Sequence, residues 1–321
     1  MVFHGRFPLL TPKTNWALFL LLALRAHPAQ QILPPTSEPN PRISVDVDLV
    51  VLHATVTDRH GRLITDLQEQ NFEVYEDGVR QSIRLFRHED VPVTVGLVVD
   101  HSGSMRRKLE EVSAAARTFA RSSNPDDEMF VVNFNEAVSL GLPGAIRFTH
   151  DSGELERAVL RAPAWGKTAL YDAIIEGIEQ LKAGTRDKKV LIVISDGGDN
   201  ASHHRLTEVT QLAEQSSAII YTIGIFDDED PDRNPGVLRR LARATGGEAF
   251  FPEKVSDVMA ICTRIARDIR HQYTIGYVPT NPTRNGGYRA VRVIARAPGH
   301  GKLLVRTRAG YIAQPSTAKP E

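Results

Sequence analysis

The run Val93-Thr-Val-Gly-Leu-Val-Val-Asp100, followed at once by His101-Ser-Gly-Ser-Met105, decides how the chain is read. Its first seven residues carry no charge, are rich in β-branched valine and do not alternate apolar with polar. That pattern predicts a strand buried on both faces, as in a parallel sheet covered by helices. The residues after Asp100 predict a tight turn into a helix. One carboxylate, Asp100, and two hydroxyls, Ser102 and Ser104, would then stand at the carboxyl end of a central strand, where open α/β sheets place their ligands. The same D-x-S-x-S spacing serves equally well as a strand–turn–helix corner with Ser104 as the N-cap, so the decision lies further along the chain.

Strands and helices alternate downstream. Leu109, Val112, Ala116, Phe119 and Ala120 share one helical face, Met129–Phe134 reads as a strand, and Val138–Leu140 with Ile146–Phe148 reads as a short antiparallel edge. Leu170, Ala173, Ile174, Gly177, Ile178 and Leu181 form a second apolar helix face. Val190–Ile194 is another fully apolar strand, ending at Ser195-Asp196-Gly197-Gly198. A helix near Leu206–Ser216, a strand at Ile219–Ile225, a helix at Gly236–Ala244, a short strand at Ala249–Phe251 and a long helix at Val255–Arg270 complete the series. Residues 91–271 therefore predict an α/β fold with a doubly wound, mostly parallel sheet.

The flanks differ. Within residues 44–90, Val45–Leu52 and His53–Asp58 alternate, Arg59-His-Gly-Arg62 reads as a hairpin-like turn, and Phe72–Gly78 runs into a Glu-Asp-Gly turn with Gln81–Phe86 as the return strand. Within residues 272–313, Gln272–Val278, Tyr288–Ala295 and Lys302–Arg308 read as three strands. Three strands without a helix do not make a stable domain. Pooled with the amino-terminal flank they suffice for one β-sandwich, so the α/β segment is predicted to be inserted into a sandwich built from both flanks.

Lys plus Arg and Asp plus Glu both count 39, so no global field recruits nucleic acid and no basic groove is visible. At the amino terminus, Arg6 and Lys13 precede the apolar run Trp16–Leu24. That run falls far short of the ~20 residues that span a bilayer and suits the core of a secretory signal. Residues 1–29 are expected to be an export signal cleaved near Ala29, giving a periplasmic, cell-surface or secreted protein with no membrane span in its mature form. His27 at the cleavage site keeps an uncleaved anchor as the alternative. Four prolines in residues 30–43 mark a linker, and residues 314–321 a disordered tail. Cys262 is the single cysteine, so no intramolecular disulfide forms; its helical spacing with Val258, Ile265 and Ile269 predicts a buried small hydrophobe.

Thr168, in Trp165-Gly-Lys-Thr-Ala169, lies just before the Leu170 helix, and Asp196 lies just past the Val190–Ile194 strand. A doubly wound sheet gathers such loops on one rim, so Asp100, Ser102, Ser104, Thr168 and Asp196 can converge. Two carboxylates and three hydroxyls are hard oxygen donors without sulfur or imidazole, a set that favours Mg²⁺ or Mn²⁺ over Zn²⁺ or copper. Taken singly, Ser102, Ser104 and Thr168 fit as helix caps and Asp196 as the head of an Asp-Gly turn. Asp199 and Asn200 are read as solvated loop residues, with contacts behind the site as the alternative.

At all five positions this set resembles the metal-ion-dependent adhesion site of von Willebrand factor type A domains, and the segment from about Val91 to His271 resembles that domain throughout. The wider layout, with its Glu-Asp-Gly stretch before and Gly-Tyr-Val-Pro-Thr after, looks like the VWFA-related proteins known mainly from Acidobacteria. The resemblance implies that the two serines hold the metal directly and that Thr168, Asp100 and Asp196 do so directly or through water. It also implies that a partner protein's Asp or Glu completes the shell. Neutral hydroxyls leave the cation's charge incompletely neutralised, which favours such a carboxylate. The expected function is a non-enzymatic, metal-dependent adhesion module. An envelope scaffold with a structural or vestigial metal is the alternative, and an Mg²⁺-dependent hydrolase using Asp100 a minor one.

Other motifs lose on inspection. Gly166-Lys167-Thr168 lacks the glycine a phosphate loop needs five positions before its Gly-Lys pair, where Arg161 stands. Aspartyl-phosphate enzymes carry a second aspartate where this chain has Ser102. Asp228, Asp230 and Asp232 open like a calcium loop, but Arg233 and Arg239 occupy the positions that call for Gly and Glu. Adjacent His203 and His204 are expected to point apart as surface residues. No serine sits in a G-x-S-x-G elbow.

Overall fold

The computed structural model describes residues 49–226 and 233–313. The expected export signal and linker, the start of the first alternating stretch, residues 227–232 and the expected carboxyl-terminal tail lie outside the described residues. Among the described residues no helix is long and apolar enough to cross a membrane.

The chain enters through β1 (Val50–Thr57), β2 (Phe72–Glu76), β3 (Val79–Gln81) and β4 (Ile83–Arg87). It then builds β5 (Val93–Asp100), α1 (Leu109–Ser122), β6 (Glu128–Phe134), β7 (Val138–Leu140), α2 (Ser152–Val159), α3 (Leu170–Lys182) and β8 (Lys188–Ser195). After them come α4 (Leu206–Gln215), β9 (Ile219–Gly224), α5 (Pro235–Thr245), β10 (Ala249–Phe250) and α6 (Val258–Arg270). It closes with β11 (Tyr273–Tyr277), β12 (Tyr288–Ala295), β13 (Leu304–Arg306) and β14 (Gly310–Ile312).

The central sheet runs β10-β9-β8-β5-β6-β7 and is parallel except for β7. All eight residues of β5 are buried, as the uncharged run demands. Gly96 belongs there because a Cβ would sit 2.3 Å from the Phe130 ring and 2.6 Å from Leu191. Gly177 brings α3 close over the sheet: its Cβ position is 3.1 Å from both Leu191 and Val98. The predicted buried face of α3 is the observed one, Leu170, Ala173, Ile174, Gly177, Ile178 and Leu181. From β5 the chain winds one way to β6 and later returns to β8 on the other side. The gap between the carboxyl ends of β5 and β8 is therefore the switch point where such sheets bind ligands.

Two four-stranded antiparallel sheets, β13-β1-β11-β4 and β14-β12-β2-β3, draw strands from both flanks. Leu52 and Ala54 of β1, Phe72 and Val74 of β2, Tyr273 and Ile275 of β11 and Val293 of β12 share one core, which makes the pair a sandwich. Gln272 bonds Thr55 Oγ1 at 3.2 Å and Tyr221 Oη at 3.3 Å, linking this core to the central sheet. Arg306 of β13 reaches across to Glu248 and, at 2.9 Å, to the buried Asp268 of α6.

Several local expectations are corrected. Gln81–Phe86 is not one return strand: β3 pairs with β2 and the chain then crosses to β11 as β4, because Gln81 turns inward to hydrogen-bond Thr280. Ile146–Phe148 forms no strand; Pro143 and Gly144, the latter at φ +57°, turn the chain, which meets β6 only at Thr149. Helix α2 was hidden by its short, mixed sequence, although its N-cap Asp151 accepts from the Glu154 amide at 2.5 Å. Lys302–Arg308 shrinks to β13, and β14 follows it. Cys262, by contrast, is buried as its helical spacing predicts, and burial pushes its thiol up to about 12.

His53 in β1 is held down to about 3 by burial and by the charges of Lys188 and Arg308. A histidine whose folded pKa lies below its unfolded ~6.5 takes up a proton first in the unfolded chain, so its contribution to stability falls as pH drops from 6.5 toward 3. His53→Gln removes that slope. By pH 5 the variant should gain about 2 kcal/mol relative to the wild type, measured as the difference between paired urea unfolding curves at pH 7 and pH 5. Equal slopes for the two proteins would refute the assignment.

Candidate metal-dependent adhesion site

Asp100 ends β5 and is fully buried. Its Oδ1 accepts from the Ser102 amide at 2.8 Å and its Oδ2 from Ser195 Oγ at 2.7 Å. Ser102 then begins a single turn of 3₁₀ helix, Gly103–Met105, with no side-chain cap bond, and α1 starts only at Leu109. The cap reading of Ser104 therefore fails. Ser104 Oγ instead lies 3.1 Å from Ser102 Oγ and donates to Asp196 Oδ2 at 2.8 Å.

Asp196 serves twice. Its Oδ1 accepts from the Gly198 amide at 3.0 Å, the Asp-Gly turn the sequence suggests, while Oδ2 faces the serines. Gly197, at φ +80°, makes that turn, and a Cβ there would lie 2.5 Å from Asn234 O. Burial, and then the charge of Asp196, push Asp100 up to about 6. Two carboxylates thus crowd one poorly solvated corner, joined by a line of hydroxyls.

Thr168 arrives by its backbone. The Gly103 amide donates to Gly166 O at 3.3 Å and the Trp165 amide to His101 O at 2.9 Å, so the loop before α3 is laid onto the Asp100–Ser104 turn. Ala169 N donates to Asn135 O at 2.7 Å, tying the same loop to the end of β6. Ala169, not Thr168, holds the N-cap position of α3, and it makes no side-chain cap bond. Thr168 itself is buried.

Asp199 and Asn200 stay in a loop, and Asn200 is exposed, but both make the contacts behind the site that the alternative reading offered. Asn200 Oδ1 accepts from the Thr168 amide at 2.9 Å, its own amide donates back to Thr168 O at 3.0 Å, and Asp199 Oδ2 accepts from the Tyr171 amide. Residues 199 and 200 fix the backbone that carries Thr168. His203 and His204 remain exposed but do not point apart. Both rings bond Asp172 through Nδ1, at 3.0 and 2.7 Å. Burial opposes it, yet these bonds and the two backbone amides hold the Asp172 carboxyl well below the usual range.

Sequence reasoning missed Ser195 and His101. Ser195 Oγ bridges Asp100 and the Gly197 amide. His101 is buried, its Nε2 3.1 Å from Asn133 Oδ1. Neither carries a spacing signal: Ser195 reads as the last residue of a strand and His101 as a turn filler.

Among the described residues no cluster of three His, Cys, Asp or Glu side chains is arranged to hold a metal. A cation here depends on hydroxyls together with carboxylates. The donor set fits a hard cation: Ser102 Oγ, Ser104 Oγ and Asp196 Oδ2 already touch in series, and the crowded carboxylates gain from a neighbouring positive charge.

The family model for the von Willebrand factor type A domain matches residues 94–263. The chain belongs to that family. An uncharacterized protein of Synechocystis, sll0103, is 25% identical over 172 residues, 53% of this chain and 40% of its own length, so the chain spans two-fifths of that curated relative. Among solved structures, the von Willebrand factor type A protein of Catenulispora acidiphila superposes with a TM-score of 0.51 at 14% identity. It covers 83% of this chain and 74% of its own. The type A domain of the type V pilus tip protein Mfa5 from Porphyromonas gingivalis gives a TM-score of 0.47 at 15% identity, covering 56% and 95%. The type A segment runs from β5 into α6, and Asp100, Ser102, Ser104, Thr168 and Asp196 all fall inside it.

Proposed function

We propose that this protein is an exported, divalent-metal-dependent binding module that grips an acidic side chain of a partner protein. The observation that carries the reading is the line Ser102 Oγ–Ser104 Oγ–Asp196 Oδ2 at the switch point of the sheet, backed by the buried Asp100. Ser102, Ser104 and Asp196 would hold Mg²⁺ or Mn²⁺, with Thr168 and Asp100 completing the protein's share. When bound, the ion supplies a Lewis-acidic position for an incoming carboxylate.

The chain's own residues supply rigidity. Ser195 and the Ser102 amide engage both oxygens of Asp100, which supports a positioning role over that of a nucleophile, since an attacking carboxylate needs a free and accessible oxygen. Asn200 and Asp199 hold the Thr168 loop, and α3 is pinned over the sheet by close packing at Gly177. A site built on strand ends and clamped loops loses little entropy on binding. The export signal expected of residues 1–29 accords with an adhesive role outside the cytoplasm.

The test is capture of envelope or extracellular proteins on the immobilised chain. A partner retained in 2 mM Mg²⁺ should be lost in EDTA, on Asp100→Ala and on Ser104→Ala, the last a half-buried change whose fold is checked by its far-ultraviolet circular dichroism. Retention that ignores both EDTA and Ser104→Ala would overturn the proposal and favour a scaffold role with a structural or vestigial metal.

A further inference from the structure

The rim around the metal position is unlike the rest of this electrically neutral chain. Trp165 is 48% exposed although its backbone is fastened to His101, two residues from Ser104's turn. Arg106 Nε bonds Ala164 O at 3.1 Å, so the guanidinium stands beside the indole's loop. Arg107 and Lys167 are exposed on the same two segments, and Arg205 follows the histidine pair that Asp172 ties to the first turn of α3. None of Arg107, Lys167 and Arg205 forms an ion pair with a described residue.

Two acidic groups of this rim are hydrogen-bonded within the chain. Asp172 is taken by His203 and His204 and Asp199 by Tyr171 and Ser202, while Glu136, beside Gly166, is an exposed carboxylate on this rim. Unpaired cations beside one exposed indole make a surface complementary to an acidic segment with an apolar side chain. Such a surface exceeds what one metal-bound carboxylate requires.

We propose that the partner presents an extended acidic segment: one carboxylate goes to the metal, a neighbouring large apolar side chain packs on Trp165, and flanking carboxylates meet Arg106, Arg107 and Lys167. This rests on the metal-site reading above and specifies its ligand. A tryptophan in this position is the residue type that most often dominates binding energy, and rim cations set the rate and selectivity of encounter.

The test is selection of a random dodecapeptide library on the folded chain in 2 mM Mg²⁺, followed by affinity measurement of the recovered peptides. The expected peptides combine several Asp or Glu with Phe, Leu or Trp. They should bind about tenfold more weakly to Trp165→Ser and to Arg107→Glu/Lys167→Glu, both surface variants with unchanged melting temperature. Loss in EDTA with full binding by both variants would overturn this inference and leave the metal reading standing. Binding lost in the variants but indifferent to EDTA would keep the rim and overturn the metal. Recovered sequences without acidic enrichment, or none above a bare surface, would overturn the acidic-segment assignment.

Discussion

Glu76→Ala should destabilise the protein by about 3–5 kcal/mol, the cost of leaving one partner of a buried ion pair uncompensated. Glu76 and Arg289 are 3% and 5% exposed, and their contact is 2.7 Å. The second Glu76 oxygen accepts from Tyr277 at 2.8 Å and Tyr311 at 2.9 Å. Arg289 also donates to the carbonyls of Asn281 and Thr283. Four strands, β2, β11, β12 and β14, therefore converge on one carboxylate, and removing it strands a guanidinium and two phenols in the sandwich. The measurement is the midpoint of urea unfolding. Glu76→Leu combined with Arg289→Leu should recover only the part of the loss due to the stranded guanidinium, because the Tyr277 and Tyr311 hydroxyls still lack their acceptor. A loss below about 1 kcal/mol would mean that water reaches the pair.

Millimolar Mg²⁺ or Mn²⁺ should raise the wild type's stability by about 2.7 kcal/mol at one hundred times the dissociation constant, and should do nothing for Ser104→Ala. Spread over a chain of this size, that is a shift of roughly 4–5 °C in melting temperature. The asymmetry follows from the geometry: Ser104 Oγ stands between Ser102 Oγ and Asp196 Oδ2, so its removal breaks the line of donors in the middle. Equal protection of wild type and variant would place the metal elsewhere.

How much of this was legible in the sequence depended on how local the signal was. The strand Val93–Asp100 and the α3 face were readable because burial on both faces, or on one helical stripe, writes directly into hydrophobic pattern. The meeting of Ser102, Ser104 and Asp196 was readable because strand-end carboxylates and hydroxyls in a doubly wound sheet share a rim. The fastening was not readable. Asn200 on Thr168 and Ser195 on Asp100 are polar contacts 32 and 95 residues apart, and a lone polar residue at a loop looks the same whether it clamps or is solvated.

The same limit hid the sandwich's polar centre. The Glu-Asp-Gly turn announces itself, with Asp77 at φ 48° and Gly78 at φ 84°, but that its glutamate meets the tyrosine of Gly-Tyr-Val-Pro-Thr, 201 residues later, is a tertiary fact. The split of Gln81–Phe86 between two sheets was likewise invisible, since both halves have strand-like composition and only their partners differ.

The central claim, that these hydroxyls and carboxylates form a cation site, is tested most directly by titrating Mn²⁺ into the protein and counting bound ions by electron paramagnetic resonance. The account predicts one Mn²⁺ per chain, displaced by Mg²⁺ and absent in Ser104→Ala. No bound ion in the wild type, or the same count in the variant, would contradict it.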